Sequence, residues 1–233
     1  MTVHTDYQTF TRTPRPLGRH VEHDTRSRAF SFAPREDTAI RTKVWRRYGK
    51  VLDQGNVGAC TGFAAAHAMN LLPNHVRHER IMKNADGLAI YTRATQLDEF
   101  RGQMPEQDTG SSGNAACKAL LERGDITEYR WAFGFDHLLQ SLMHSPVMVG
   151  TWWFEDMFYP DARGVVRPTG RRVGGHEYVC TGVESLTGQV LSFQNSWGKD
   201  WGKGGRFYMT FSSFRALLHD DGDAVIPVGG PWT

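Results

Sequence analysis

The apolar pattern of this chain changes its period part-way along 233 residues. Before about residue 145, apolar and small residues recur at helical spacing; after it, apolar and polar residues alternate. Residues 59–72, Ala-Cys-Thr-Gly-Phe-Ala-Ala-Ala-His-Ala-Met-Asn-Leu-Leu, read as a buried helix ended by Pro73. The same spacing predicts helices over 87–100, over 115–123 with Gly124 as the cap, and over 136–144. Residues 147–153, 177–183, 189–195 and 206–211 read as antiparallel strands bounded by glycines. Helices first and strands second predict an α+β fold. With no linker at the change, two packed lobes with a cleft between them are expected.

Residues 1–47 are rich in Arg, Pro, Thr and Asp and lack strong periodicity, so they read as a basic extended arm ahead of a domain over 48–233. The first fifty residues hold eleven Lys/Arg and five Asp/Glu. The whole chain carries 27 basic and 25 acidic residues, a net charge of +2. That balance argues against a nucleic-acid partner, and Arg12, Arg15, Arg19, Arg26, Arg28 and Arg35 are too dispersed for a targeting signal. An arm wrapping the domain is the expectation. No apolar run approaches the ~20 residues of a membrane span. The opening Met-Thr-Val-His-Thr-Asp lacks the apolar core of a secretory signal. Three cysteines without paired spacing, Cys60, Cys117 and Cys180, do not make a disulfide framework, so a reducing, cytoplasmic setting is expected.

A thiol attacks carbonyls as thiolate, and a helix N-terminus or a protonated histidine lowers its pKa. Cys60 follows Asn-Val-Gly-Ala at a helix start, and Gly58 lets a substrate backbone approach. Of ten histidines, His4, His20 and His23 lie in the arm, His67 sits in the helix of Cys60, and His137, His144 and His219 occupy ordinary polar positions. His75 and His78 could share a helical face but lack a third ligand at matching spacing, so no metal and no cofactor are expected. His176, behind Gly174-Gly175 and at the entrance of an apolar strand, combines access with rigidity, as a general base requires. Asn195 can orient it, Trp197 can cover that contact, and the Gln54 amide can join the Cys60 N–H in stabilising an oxyanion. Cys117 and Cys180 read as buried structural thiols.

Gln54-Gly-Asn-Val-Gly-Ala-Cys60, Gly174-Gly-His176 and Asn195-Ser-Trp-Gly-Lys-Asp-Trp-Gly-Lys-Gly-Gly-Arg-Phe-Tyr-Met209 resemble the papain-like cysteine peptidases over about residues 48–215. The resemblance implies a helical left lobe with the nucleophile and a β-barrel-like right lobe with the base. It implies peptide bonds as substrate, Cys60 as nucleophile, His176 as acid/base, Asn195 as its orienter and Gln54 as oxyanion donor. It further implies that Gly58, Ala59 and Gly175 border the substrate and that Trp197 shields the His–Asn pair. Residues 146–154 and Gly175 would line the second subsite, where Trp152, Trp153 and Phe154 suggest an apolar preference.

The chain also departs from the secreted members. Val57 stands at their disulfide position, Thr61 at their tryptophan, and the subsite segment aligns with either Asp108-Thr-Gly110 or Ser111-Ser-Gly-Asn114. These variants look more like the bacterial and bacteriophage branch without disulfides, and residues 1–47 do not resemble the helical inhibitory propeptide. The resemblance thus points to a cysteine endopeptidase with a protein or peptide partner. A cell-wall peptidase or amidase with the same dyad, or a weakly active virion or assembly protein, are the alternatives.

Overall fold

The computed structural model describes residues 15–34, 38–75 and 80–229. The readings placed on His4, Arg12, Arg35 and His78 lie outside them. The described helices are α1 (Cys60–Met69), α2 (Asn84–Leu97), α3 (Gly113–Glu122), α4 (Phe135–Leu142) and α5 (Phe211–His219). The strands are β1 (Lys43–Val44), β2 (Glu128–Trp131), β3 (Val147–Phe154), β4 (Arg172–Ser185), β5 (Val190–Gln194), β6 (Arg206–Thr210) and β7 (Asp223–Val228).

Every residue of α1 is buried. Its run of small side chains allows backbones to touch: a Cβ on Gly62 would lie 2.3 Å from Gly87 O and 2.5 Å from Tyr91 N of α2. The alanines of α1, Ile90 and Tyr91 of α2, and Ala115 and Leu120 of α3 form one apolar core. At its far end Asn70 bonds both ways with the Met82 backbone, at 2.8 Å each.

The strands form one antiparallel sheet in the order β2-β7-β3-β4-β5-β6, with β1 paired to β4. It is open, whereas the resemblance suggested a barrel-like lobe. Alternation divides its centre. Met148, Val179 and Val225 join the helical core, while Val149, Tyr178, Cys180 and Ala224 join a second core with Trp153, Trp197, Phe193 and Phe207. One face of the sheet therefore carries α1, α2 and α3 while the other packs α4 and α5, and the seam between the first group and the sheet runs where α1 meets β4.

Several boundaries differ from expectation. Strand β4 is twice the expected length, because Gly174-Gly175 continue its ladder opposite Trp153 and Trp152. Strand β6 stops at Thr210, whose hydroxyl accepts from Ser213 N and caps an unexpected helix, α5. Strand β7 was hidden by Pro227, a residue that argues against strands. It is tolerated because Pro227 pairs with Tyr129 beyond the three residues, 223–225, that pair with β3. No helix among the described residues is long and apolar enough to cross a membrane.

Candidate active site

Cys60 is the first residue of α1, so its N–H is one of those a helix leaves without an internal acceptor. The loop before it is held at both ends. Gln54 N donates to Ser196 O at 2.9 Å, and Gly58 N donates to Asp108 Oδ2 at 2.8 Å. Ser196 Oγ donates to Gln54 Oε1 at 2.7 Å, which turns the amide nitrogen toward Val57 O at 2.9 Å and Pro16 O at 3.2 Å.

His176 lies within β4, opposite Thr151 of β3. Its Nε2 lies 2.9 Å from Asn195 Oδ1, which also accepts from Ser196 N at 2.7 Å. An acceptor there makes Nε2 the protonated nitrogen and leaves the lone pair on Nδ1, which is buried without a hydrogen-bond partner. Trp197 stacks on the imidazole at 4.7 Å and Trp153 meets it edge-on at 4.9 Å. The backbone N–H groups of Glu177 and Thr61 favour the Cys60 thiolate, which brings the sulfur beside the residue that follows His176.

Cys60 and His176 are both fully buried, and the arm passes against Gly58 and Gly175, close in the chain to each of them. Residues 16–20 run between the lobes. Gly18 N and Arg19 N donate to Gly175 O at 3.2 and 3.0 Å on one side. On the other, Ser111 N donates to Gly18 O at 2.8 Å and His20 N to Ser111 O at 2.7 Å. The fit needs glycine: a Cβ on Gly58 would lie 2.7 Å from Leu17 O, and one on Gly175 2.2 Å from Arg19 O. Ser111 thus forms the left wall, and Asp108 works behind it, holding Gly58 N and the Tyr91 hydroxyl.

Burial pushes the Cys60 thiol up to about 12, with the nearby Glu177 carboxylate adding to the rise. Burial takes His176 down to about 4, opposed by its bond to Asn195. Beneath the arm the two are a neutral thiol and a neutral imidazole.

No protein-family model matches the chain, and no curated protein sequence does. Solved structures match over most of its length. Xylellain, a cysteine protease from Xylella fastidiosa, aligns at 20% identity over 94% of this chain and 99% of its own, with a TM-score of 0.73. Procathepsin L 3 from the Tenebrio molitor larval midgut aligns at 14% identity over 92% and 76%, with a TM-score of 0.65. Bromelain from Ananas comosus, in complex with the E64 inhibitor, aligns at 16% identity over 79% and 95%, with a TM-score of 0.57. The fold is papain-like. In this papain-like fold Gln54, Cys60, His176 and Asn195 gather at the mouth of the seam between helices and sheet, with Gly58 and Gly175 against the occupying segment. Ala59 is packed in the helical core and Trp197 in the sheet core, on the imidazole.

Three participants escaped the sequence reading as site residues: Ser196, which orients Gln54, and the carboxylates Glu177 and Asp223. Glu177 carried a signal, a charged residue at the head of the apolar run Tyr-Val-Cys, and so did Asp223 at the head of Ala-Val-Ile.

Proposed function

We propose that the chain is a latent cysteine endopeptidase with Cys60 as nucleophile, His176 as acid/base, Asn195 as the orienter of His176, and Gln54 with the Cys60 N–H as oxyanion donors. The observation that carries the reading is the occupant of the cleft: an extended polypeptide passes through it, with a main-chain carbonyl, Pro16 O, on the Gln54 amide. A groove that admits a chain entering and leaving suits cleavage within polypeptides.

Once the arm withdraws, solvent reaches the thiol and the imidazole, and the burial that keeps both neutral is relieved. The proton moves from Sγ to Nδ1. The thiolate adds to the carbonyl carbon, and the negative charge on oxygen is met by Gln54 and the Cys60 N–H. The carbon–nitrogen bond then breaks, with the Nδ1 proton passing to the leaving amine, which leaves a thioester on Cys60. Water gives a proton back to His176, attacks the thioester, and releases the acid and the thiol. Asn195 holds the ring through Nε2 throughout, and Trp197 keeps water from that bond. By the papain-like resemblance the second subsite lies at Gly175 and residues 146–154. Arg19 lies there, yet it follows rather than precedes Pro16, whose carbonyl Gln54 holds. The arm is therefore threaded backwards relative to a substrate and presents no cleavable bond.

Three free cysteines and the likeness to a protease of Xylella fastidiosa support a disulfide-free, bacterial or bacteriophage-type peptidase acting in a reducing cytoplasm. The test is labelling by an epoxide or vinyl-sulfone thiol probe under reducing conditions, after the arm is released by substitution. Labelling that disappears with Cys60→Ala is the expected result. A released protein whose Cys60 stays unlabelled removes the proposed chemistry.

A further inference from the structure

The Arg19 side chain leaves the cleft and enters a socket built from three neighbouring strands. Asp223 of β7 pairs with Gly150 of β3, and Gly150 pairs with Glu177 of β4. Residues in one cross-strand row share a face, so two carboxylates flank a glycine gap on the helix side of the sheet. The gap is sized for a guanidinium. A Cβ on Gly150 would lie 2.5 Å from Arg19 Nε, 2.6 Å from Glu177 Oε2 and 3.0 Å from Asp223 Oδ1. Gly113 at the start of α3 closes the far wall, where a Cβ would lie 2.6 Å from Glu177 Oε1.

Arg19 Nη2 donates to Asp223 Oδ2 at 2.5 Å and to Asp221 O at 2.7 Å. Arg19 Nε and Nη1, both Glu177 carboxylate oxygens and Asp223 Oδ1 are buried without hydrogen-bond partners. Glu177 is fully buried. Burial, then the neighbouring Asp223, hold its carboxyl well above the ordinary range, while Arg19 draws it back down. Emptied of its cation, the socket would leave two buried acids facing each other, an arrangement that a second cation relieves and a neutral side chain does not. Guanidinium, planar and with five donors, suits two facing carboxylates better than an ammonium.

We propose that the Glu177–Gly150–Asp223 row is the enzyme's specificity pocket and selects substrates with arginine two residues before the scissile bond, Arg19 being the stand-in for that side chain. This rests on the endopeptidase reading for the position of the bond, and it replaces the apolar preference expected from Trp152, Trp153 and Phe154. Trp153 is buried in the sheet core and Trp152 lies beneath the Arg172 guanidinium.

The test uses the full chain carrying Gly18→Ala and Arg19→Ala, so that the arm is dislodged and the socket vacant. Fluorogenic peptides identical except for Arg, Leu or Glu at the second position are compared by kcat/KM. Arg is expected to exceed Leu at least tenfold, and Glu to be poorest. Binding of the Arg and Leu peptides to the same protein with Cys60→Ala is read by fluorescence polarisation, which needs no catalysis and so separates the pocket from the peptidase chemistry. The tenfold preference is expected there too, and is expected to collapse in Asp223→Asn and in Gly150→Ala, the latter keeping both acids but filling the gap. Equal binding of the Arg and Leu peptides, or a preference that survives both substitutions, overturns the assignment.

Discussion

Replacing Gly18 by alanine is expected to switch the protein on. The added Cβ would stand 1.9 Å from Gly58 O, 2.6 Å from Gly58 C and 2.9 Å from Gly58 Cα, all backbone atoms with no rotamer to swing aside. Gly58 cannot retreat easily, because Asp108 holds its N–H at 2.8 Å and α1 begins two residues later. The arm must give way instead. Ordinary contact distance begins at 3.4 Å, so residue 18 has to withdraw by more than an ångström. That strips the two bonds to Gly175 O and the bond from Ser111 N to Gly18 O. At ~1 kcal/mol net for each, the docked state loses about 3 kcal/mol, or roughly a hundredfold in the population of the open cleft. Alkylation of Cys60 by an epoxide probe, followed by intact-mass spectrometry under reducing conditions, reads that population directly. A rate about a hundredfold above the unsubstituted chain is expected, with no change in the melting of the sheet core. A folded Gly18→Ala protein that reacts as slowly as the original would refute the claim that residues 16–20 are what bury the thiol.

Further expectations follow from the same geometry. In the released protein Gln54→Ala should lower kcat about 10²–10³-fold, the cost of one oxyanion donor, with KM measured alongside to separate chemistry from binding. Gly62→Ala should destabilise by roughly 1–3 kcal/mol in a urea titration, because its Cβ meets the α2 backbone at 2.3 Å. Acid should unfold the chain through two buried histidines. Burial takes His67 down to about 3, helped by the positive Arg47, and His176 down to about 4. Both are ordinarily near 6.5, so the unfolded chain binds their protons first as pH falls. Their contribution is complete above pH ~6.5, and each loses ~1.4 kcal/mol per pH unit below it, His176 until about pH 4. Thermal melts stepped from pH 7 to pH 4 should show a continuous fall, and a Tm flat across that range would contradict it.

Much of the site was legible in the linear order because local chemistry encodes it. A cysteine at a helix start needs a glycine-bearing loop ahead of it, and Gln54, Gly58 and Cys60 lie within seven residues. His176 announced itself by the glycines before a strand, and Asn195 by its place one strand later. The arm was legible only as basic and extended. Its role depends on Gly18 meeting Gly58 and Gly175, residues 40 and 157 positions away, and no period or local motif carries such a pairing.

The chain order by itself set helices before strands and singled out Cys60, His176, Asn195 and Gln54 as the candidate nucleophile, base, orienter and oxyanion donor, since hydrophobic period and short-range spacing are written residue by residue. Tertiary structure alone decided that the cleft is filled by residues 16–20 and that Glu177, Gly150 and Asp223 align into an acidic socket. Strand register created that row: three residues scattered over 73 positions become neighbours only when β7, β3 and β4 pair, and only then do Asp223, ion-paired to Arg19, and the buried Glu177 flank one glycine gap.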